Sequence, residues 1–227
     1  MRIDIWSDVV CPWCWIGKRR LQRAIALLGD DAPAIDIHWH PYLLDPDADD
    51  TPVPLREAYA RKFDGAERTA QLLAQMQATA RAEGLPFDFD RGQVRVTTLP
   101  AHRLLALAAQ EGDPDAVGEA LFHAHFAQGR NLADVEVLVE VGTAGGLDAA
   151  RVRGLLAGDE GEAEVQARIA QAQAMGIRAV PTFVVDGRLA VQGAQPPEVL
   201  AATLRRALDA AVPPAAPGAV CGPDGCA

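Results

Sequence analysis

Cys11-Pro12-Trp13-Cys14 sets two thiols three residues apart, directly after an alternating apolar run and directly before a helical one. On the first turn of a helix, that spacing puts both sulfurs on one face, close enough to make and break a disulfide. The unpaired N–H groups and the positive end of the helix favour a thiolate on the outer sulfur, and only the thiolate attacks. Cys11 is therefore the expected exposed nucleophile and Cys14 the shielded resolving thiol. Pro12 presets the backbone at a helix start and lacks an N–H that would have no partner there. Trp13 offers apolar bulk against which a bound polypeptide could lie. The competing chemistry for a C-x-x-C pair is half a zinc site, but no second pair stands at zinc-ribbon spacing, so no metal is expected.

The elements that must position this pair can be read around it. Arg2 to Ser7 alternates Ile3 and Ile5 with Asp4 and Trp6, as a strand does. From Cys14, the residues Trp15, Ile16, Leu21, Ala24, Ile25 and Leu28 recur at helical spacing as far as Gly29. Ile35 to Tyr42 alternates again, predicting a second strand parallel to the first. Asp45 to Pro54 is an acidic, proline-containing linker, whose charged run Asp45 to Asp50 is read as solvated loop. Ala-rich helices are predicted over Glu67–Ala82, Ala101–Gln110, Ala116–Gln128, Val135–Gly142 and Glu162–Met175. Strands return at Thr182–Val185 and Leu189–Val191 across an Asp186-Gly187 turn, and a last helix follows from Pro196 to Ala211. The order predicts an α/β chain whose mixed sheet is interrupted by a helical insertion. Residues 1–44 and 176–211 form one discontinuous domain, 45–175 the insertion and 212–227 a flexible tail.

Val180-Pro181-Thr182 is the second indicator. A proline cannot donate to a sheet ladder, so it belongs at a strand's first residue or at a bend. In the order above, that point falls beside the helix start that carries Cys11. A cis Val180–Pro181 bond would let the backbone there pair with an extended substrate held on Cys11, and the joint occurrence with the cysteine pair favours cis.

Composition sets the outer limits. The chain has 227 residues, 49% of them hydrophobic, enough to bury a real core. A net charge of -10 argues against nucleic acid or an anionic membrane surface as partner. No stretch approaches the roughly 20 continuous apolar residues of a membrane span. Met1-Arg2 runs straight into Ile3-Asp4-Ile5-Trp6 without an apolar leader, which leads us to expect a cytosolic protein. In that compartment structural disulfides are rare and cysteine pairs are usually catalytic or metal-bound.

Asp8-Val9-Val10-Cys11-Pro12-Trp13-Cys14, Ala101-His102-Arg103-Leu104, Val180-Pro181-Thr182-Phe183-Val184 and Gly193-Ala194-Gln195-Pro196 occur in that order. In these motifs the chain resembles the cytosolic DsbA-like oxidoreductases of the FrnE type, from about Arg2 to Ala211. The resemblance implies a thioredoxin fold with a large helical insertion, a dithiol centre at Cys11 and Cys14, and a cis proline at Pro181. It also puts His102 at a recurring position, a candidate substrate-binding residue together with Pro12, Trp13, Val180 and Thr182. Strongly oxidising relatives carry a histidine where this chain has Trp13, so strong oxidase activity is not expected.

The tail adds a second pair. Cys221-Gly222-Pro223-Asp224-Gly225-Cys226 contains good turn chemistry, at a separation that a disulfide can close. The last helix runs about 23 Å away from the active-site end of the sheet. The ten residues that follow can span about 31 Å when extended. Cys221/Cys226 is thus a candidate secondary redox pair exchanging with Cys11/Cys14. Other tempting residues are set aside: His38 and His40 share a strand face without a third ligand, and His123 and His125 point apart on a helix.

The function expected is thiol–disulfide oxidoreductase or isomerase, acting on protein or small-molecule disulfides through a mixed disulfide. It needs no cofactor beyond the dithiol, with glutathione as a possible co-substrate. The alternatives are a glutathione-dependent transferase or isomerase of the kappa or 2-hydroxychromene-2-carboxylate type, against which Cys14 weighs, and a chaperone-like peptide-binding module. Both a monomer and a homodimer are compatible with the sequence.

Overall fold

Every residue from Ile3 to Ser7 is buried, which places the strand β1 (Arg2–Ser7) inside a sheet. In the computed structural model, which describes residues 1–29 and 32–211, β1 pairs on both sides. The helix α1 (Pro12–Ala26) carries the chain over to β2 (Asp36–Pro41), parallel to β1 with Arg2 opposite Asp36 and Ser7 opposite Pro41. The other neighbour comes from the far end of the chain. There β5 (Thr182–Val185) lies antiparallel to β1, with Ile3 opposite Val185 and Trp6 opposite Thr182. A hairpin through Asp186 and Gly187, both in the left-handed region, leads to β6 (Leu189–Gln192).

Between β2 and β5 the chain forms β3 (Val53–Pro54), α2 (Leu55–Lys62), α3 (Ala66–Ala82), β4 (Val94–Arg95), α4 (Leu99–Glu111), α5 (Pro114–Phe126), α6 (Val135–Ala144), α7 (Ala149–Ala157) and α8 (Glu162–Ala174). The final helix is α9 (Pro197–Ala211). Among the described residues the main sheet has the order β2-β1-β5-β6. This is a mixed α/β thioredoxin-type fold with a helical insertion. The insertion also carries one two-residue ladder, with Val53, from the end of the linker, opposite Arg95.

Seven helices fill the insertion where periodicity predicts five. The additional two are short: α2 buries only Leu55, and α7 buries only Val152 and Leu155. Neither shows an apolar stripe long enough to register. A capping signal does mark α7, because the Asp148 side chain accepts from the Arg151 N–H.

Three cores hold the layers. One side of the sheet packs Ile3, Ile5, Phe183 and Val185 against Leu21 and Ala24 of α1 and Leu200 and Leu204 of α9. A second cluster, rich in aromatics, surrounds both cysteines. The third lies within the insertion around Leu104, Val117, Leu121 and Leu138. The insertion is fixed to the dithiol helix by polar contacts as well. Lys18, only 4% exposed, donates to Asp115 at 3.0 Å and to Glu119 at 2.7 Å, and the Trp15 indole N–H also reaches Glu119 at 2.9 Å.

Candidate active site

A tight turn brings the chain off β1 into the dithiol. The Cys11 N–H donates to the Asp8 carbonyl at 3.0 Å, and Cys11 then stands as the N-cap of α1 with Pro12 in the first helical position. The Cys14 N–H returns to the Cys11 carbonyl at 3.0 Å, so both sulfurs lie at the first turn. Both are free thiols.

Opposite them stands the loop before β5. The Val180–Pro181 peptide bond is cis, and the Val180 carbonyl lies 3.7 Å from the Cys11 sulfur. Two bonds hold that loop: the Gly193 N–H donates to the Pro181 carbonyl at 2.7 Å, and the Thr182 hydroxyl to the Ala179 carbonyl at 2.7 Å. Thr182 is 4% exposed and its hydroxyl is engaged within the loop, so it serves the loop's shape.

Gly17, one turn after Cys14, lets this loop approach α1. A Cβ there would meet the Pro181 ring at 2.9 Å and the Phe183 ring at 3.2 Å. Both neighbours are rigid, so neither can yield cheaply. Gly17→Val is expected to lower stability by about 1–3 kcal/mol and to slow exchange by moving α1 off the loop. Urea unfolding and a disulfide-reduction assay check this; an unperturbed variant would mean that the close approach has no consequence. The sequence reading passed over Gly17; a glycine inside a helical pattern is the signal that could have found it.

Exposure departs from the sequence expectation. Cys11 is 2% exposed rather than open to solvent, as is Cys14. Both sulfurs belong to an apolar cluster that includes Trp15, Phe87 and Val180, with Tyr59 of α2 packed against it. The insertion covers the nucleophile, which no local pattern around Cys11 could reveal. Burial, then the charges of Cys11 and Asp8, push the Tyr59 phenol up to about 12, so it is a protonated donor at neutral pH. Trp13 is the exposed member of the motif at 37%, and Pro12 is buried. Burial, then hydrogen bonding and charge from Cys11, push the Cys14 thiol well up, opposed by the Ser7 hydroxyl and the Asp8 backbone.

Behind the turn, Asp8 is 1% exposed and accepts from the Leu44 N–H at 2.8 Å. His102, 4% exposed, places its Nε2 3.0 Å from the Tyr42 carbonyl and 3.6 Å from Asp8. It supports the turn from behind. His40 sits 2.7 Å from Asp4 and stacks on Trp6, and His38 sits 2.7 Å from Asp36. Among the described residues no three of His, Cys, Asp or Glu converge as metal ligands. Cys221 and Cys226 lie outside the described residues.

A cavity of about 440 Å3 opens beside Val10, bounded by Leu44, Leu55, Tyr59, Val96 and His125. His125 is 1% exposed, and its Nδ1 has no hydrogen-bond partner among the described residues. Burial pulls it from 6.5 down to about 4, opposed by the charge of Asp8. The folded state thus holds the neutral ring, whereas the unfolded chain takes up a proton as the pH falls below its ordinary value. Stability present above about pH 6.5 is lost progressively towards pH 4, by about 3 kcal/mol in all. His125→Leu is expected to flatten that stretch of the stability–pH curve; equal slopes for both proteins would refute it.

Residues 2–205 match the DSBA-like thioredoxin domain family. The chain is similar to the probable DsbA oxidoreductase of Streptomyces coelicolor, at 35% identity over 100% of this chain and 98% of that one, with a TM-score of 0.88. It shares its fold with the cytosolic disulfide reductase DsbM of Pseudomonas aeruginosa, solved with GSH, at 22% identity, covering 92% and 100% of the two chains with a TM-score of 0.62. A 2-hydroxychromene-2-carboxylate isomerase has the same fold at 15% identity, covering 92% and 97%, with a TM-score of 0.67.

Proposed function

Because the chain belongs to the DSBA-like thioredoxin domain family, we propose that it is a cytosolic thiol–disulfide oxidoreductase or isomerase working through Cys11 and Cys14. One observation carries this reading: two free thiols on the first turn of α1, with the Cys11 sulfur 3.7 Å from the Val180 carbonyl. The Cys11 thiolate attacks one sulfur of a substrate disulfide, and the other sulfur leaves as a thiolate that takes up a proton. The substrate then remains bonded to Cys11 against Val180 and Pro181, with Trp13 as apolar support. Cys14 loses its proton and attacks the Cys11 sulfur, which releases the second substrate thiol and leaves a Cys11–Cys14 disulfide. Run backwards, the same steps oxidise a substrate dithiol.

Access to Cys11 requires its cover to move. The helix α2, which brings Tyr59, buries only Leu55 and is thus among the less firmly anchored parts of that cover. Substrates in this reading are protein or small-molecule disulfides. The GSH complex of DsbM supports glutathione as a co-substrate, and that relative's cytosolic setting supports the compartment. No helix among the described residues is long and apolar enough to cross a membrane. The tail pair Cys221/Cys226 enters the proposal as an exchange partner for Cys11/Cys14.

One experiment separates these readings: Cys14→Ala in cells, followed by identification of what stays bonded to Cys11. A ladder of protein adducts is the expected result. A Cys11–Cys221 or Cys11–Cys226 disulfide in the same variant is the mark of tail exchange, and its absence sinks that part. Glutathione alone would favour a glutathione-dependent isomerase or transferase. No adduct at all would overturn the dithiol reading.

A further inference from the structure

The loop that faces Cys11 is itself backed by a second loop. The Gly193 N–H donates to the Pro181 carbonyl at 2.7 Å, so residues 193–195 lie directly behind the cis peptide bond. Gly193 makes the bend in the left-handed region, at φ 81°, and the Gln195 N–H returns to its carbonyl at 2.9 Å. A side chain of the dithiol helix then reaches in from outside. Arg20 of α1 donates through Nη1 to the Ala194 carbonyl at 2.5 Å.

Arg20 is anchored in a second direction as well, because its Nε donates to Glu83 at 2.7 Å. Glu83 closes α3 with its side chain 8% exposed, and its other oxygen accepts from Arg23 at 2.7 Å. An arginine fork is planar and rigid, so two bonds in two directions leave it little freedom. The links then run without a gap from the insertion to the nucleophile. Glu83 holds Arg20, Arg20 holds the Ala194 carbonyl, and the neighbouring Gly193 N–H holds Pro181. The Val180 carbonyl, at the far end, lies 3.7 Å from the Cys11 sulfur. Neither Arg20 bond involves a sulfur, so its effect on exchange passes through the loop.

We propose that Arg20 is a positioning residue for extended polypeptide substrates, holding the Val180–Pro181 peptide where a chain bonded to Cys11 lies along it. A small disulfide needs only the Cys11 sulfur. A polypeptide also needs the loop in place, so its apparent affinity scales with the fraction of time the loop spends there. Arg20 raises that fraction through a charge-assisted hydrogen bond, and the buried carboxylate of the insertion keeps its guanidinium aimed at the carbonyl.

This proposal rests on the dithiol mechanism above, and two substrates test them separately. One is dithiobis(nitrobenzoate); the other is a short extended peptide whose cysteine is capped with thionitrobenzoate. Cys11 attacks the peptide sulfur, the bond to thionitrobenzoate breaks, and the coloured thiolate leaves with the peptide now bonded to Cys11. In single turnovers, Arg20→Met is expected to raise the half-saturating peptide concentration about tenfold, the low end for a hydrogen bond to a charged group. The limiting rate with the peptide, and the rate with dithiobis(nitrobenzoate), should stay within about twofold. Arg23→Met removes the other partner of Glu83 but leaves the Ala194 bond, and should keep the wild-type half-saturation. An unchanged half-saturation in Arg20→Met overturns the proposal, as does equal loss with both substrates. A rise in Arg23→Met that matches Arg20→Met overturns it too, as the mark of lost stability alone. If Arg20→Met does not fold, Glu83→Gln loosens the same arginine and should raise the half-saturation; an unchanged value there overturns the proposal. If the peptide stays on the wild-type Cys11, never displaced by Cys14, the dithiol mechanism itself falls before any Arg20 variant is compared.

Discussion

Cys11→Ser is expected to abolish thiol–disulfide exchange and leave a folded, slightly more stable protein. A serine hydroxyl cannot form a disulfide and is not ionised at neutral pH, and the remaining thiol, Cys14, is 2% exposed and pushed up by burial, so it is a poor substitute for the first step. The stability change has the opposite sign because of where Cys11 stands. It is the N-cap of α1, yet its side chain makes no capping hydrogen bond. Serine is among the best N-cap residues, and its oxygen can accept from a first-turn N–H, with a gain of up to about 1 kcal/mol. A disulfide-reduction assay and urea unfolding read the two effects on one preparation. Substantial exchange by the serine variant would move the chemistry to another group. The expected gain in stability is what a site selected for its nucleophile rather than for its cap implies.

Trp15→Ala carries the largest expected loss of stability, about 3–5 kcal/mol. Trp15 is 1% exposed, and its ring lies 5.2 Å from Phe87, 5.9 Å from Phe122 and 6.1 Å from Phe126. Phe87 and Phe126 themselves stack at 4.5 Å. This one side chain from α1 therefore organises aromatics from the loop after α3 and from α5, and its N–H reaches Glu119 on α5. Its removal leaves a cavity that the stacked rings cannot collapse to fill. Because Trp15 follows Cys14 directly, exchange should slow as well. Trp15→Phe keeps a ring but loses the N–H bond and should fall between the two proteins. Denaturant unfolding decides the matter, and a loss under about 1 kcal/mol would show that the stack does not anchor the insertion.

The dithiol, the cis proline and the sheet strands were legible because each has a short-range signature. Alternation marked β1 and β2, strand-type runs around the Asp186-Gly187 turn marked β5 and β6, and the order of elements set Val180 beside Cys11. The burial of Cys11 was not legible, since the cluster around it is drawn from distant elements, among them α2, whose single buried residue Leu55 leaves no periodic stripe. The position of His102 was equally hidden. Whether a side chain on a helix meets solvent or a carboxylate depends on elements far away in sequence. His102, for instance, turned to Tyr42 and Asp8 behind the turn. Gly17 was missed in the sequence, and its reason shows only in the Pro181 ring packed against it.

The Cys11 sulfur and its Val180 carbonyl are 169 residues apart in the chain. At about 5–20 residues per second of synthesis, the dithiol is made on the order of ten to thirty seconds before the strand that completes its site. During that interval the insertion that covers Cys11 is made, but the loop that would grip a substrate is still missing. Exchange activity thus reports on the whole chain having closed. A ribosome-bound fragment ending before β5 should have thiols that react with small alkylating reagents and yet show no turnover.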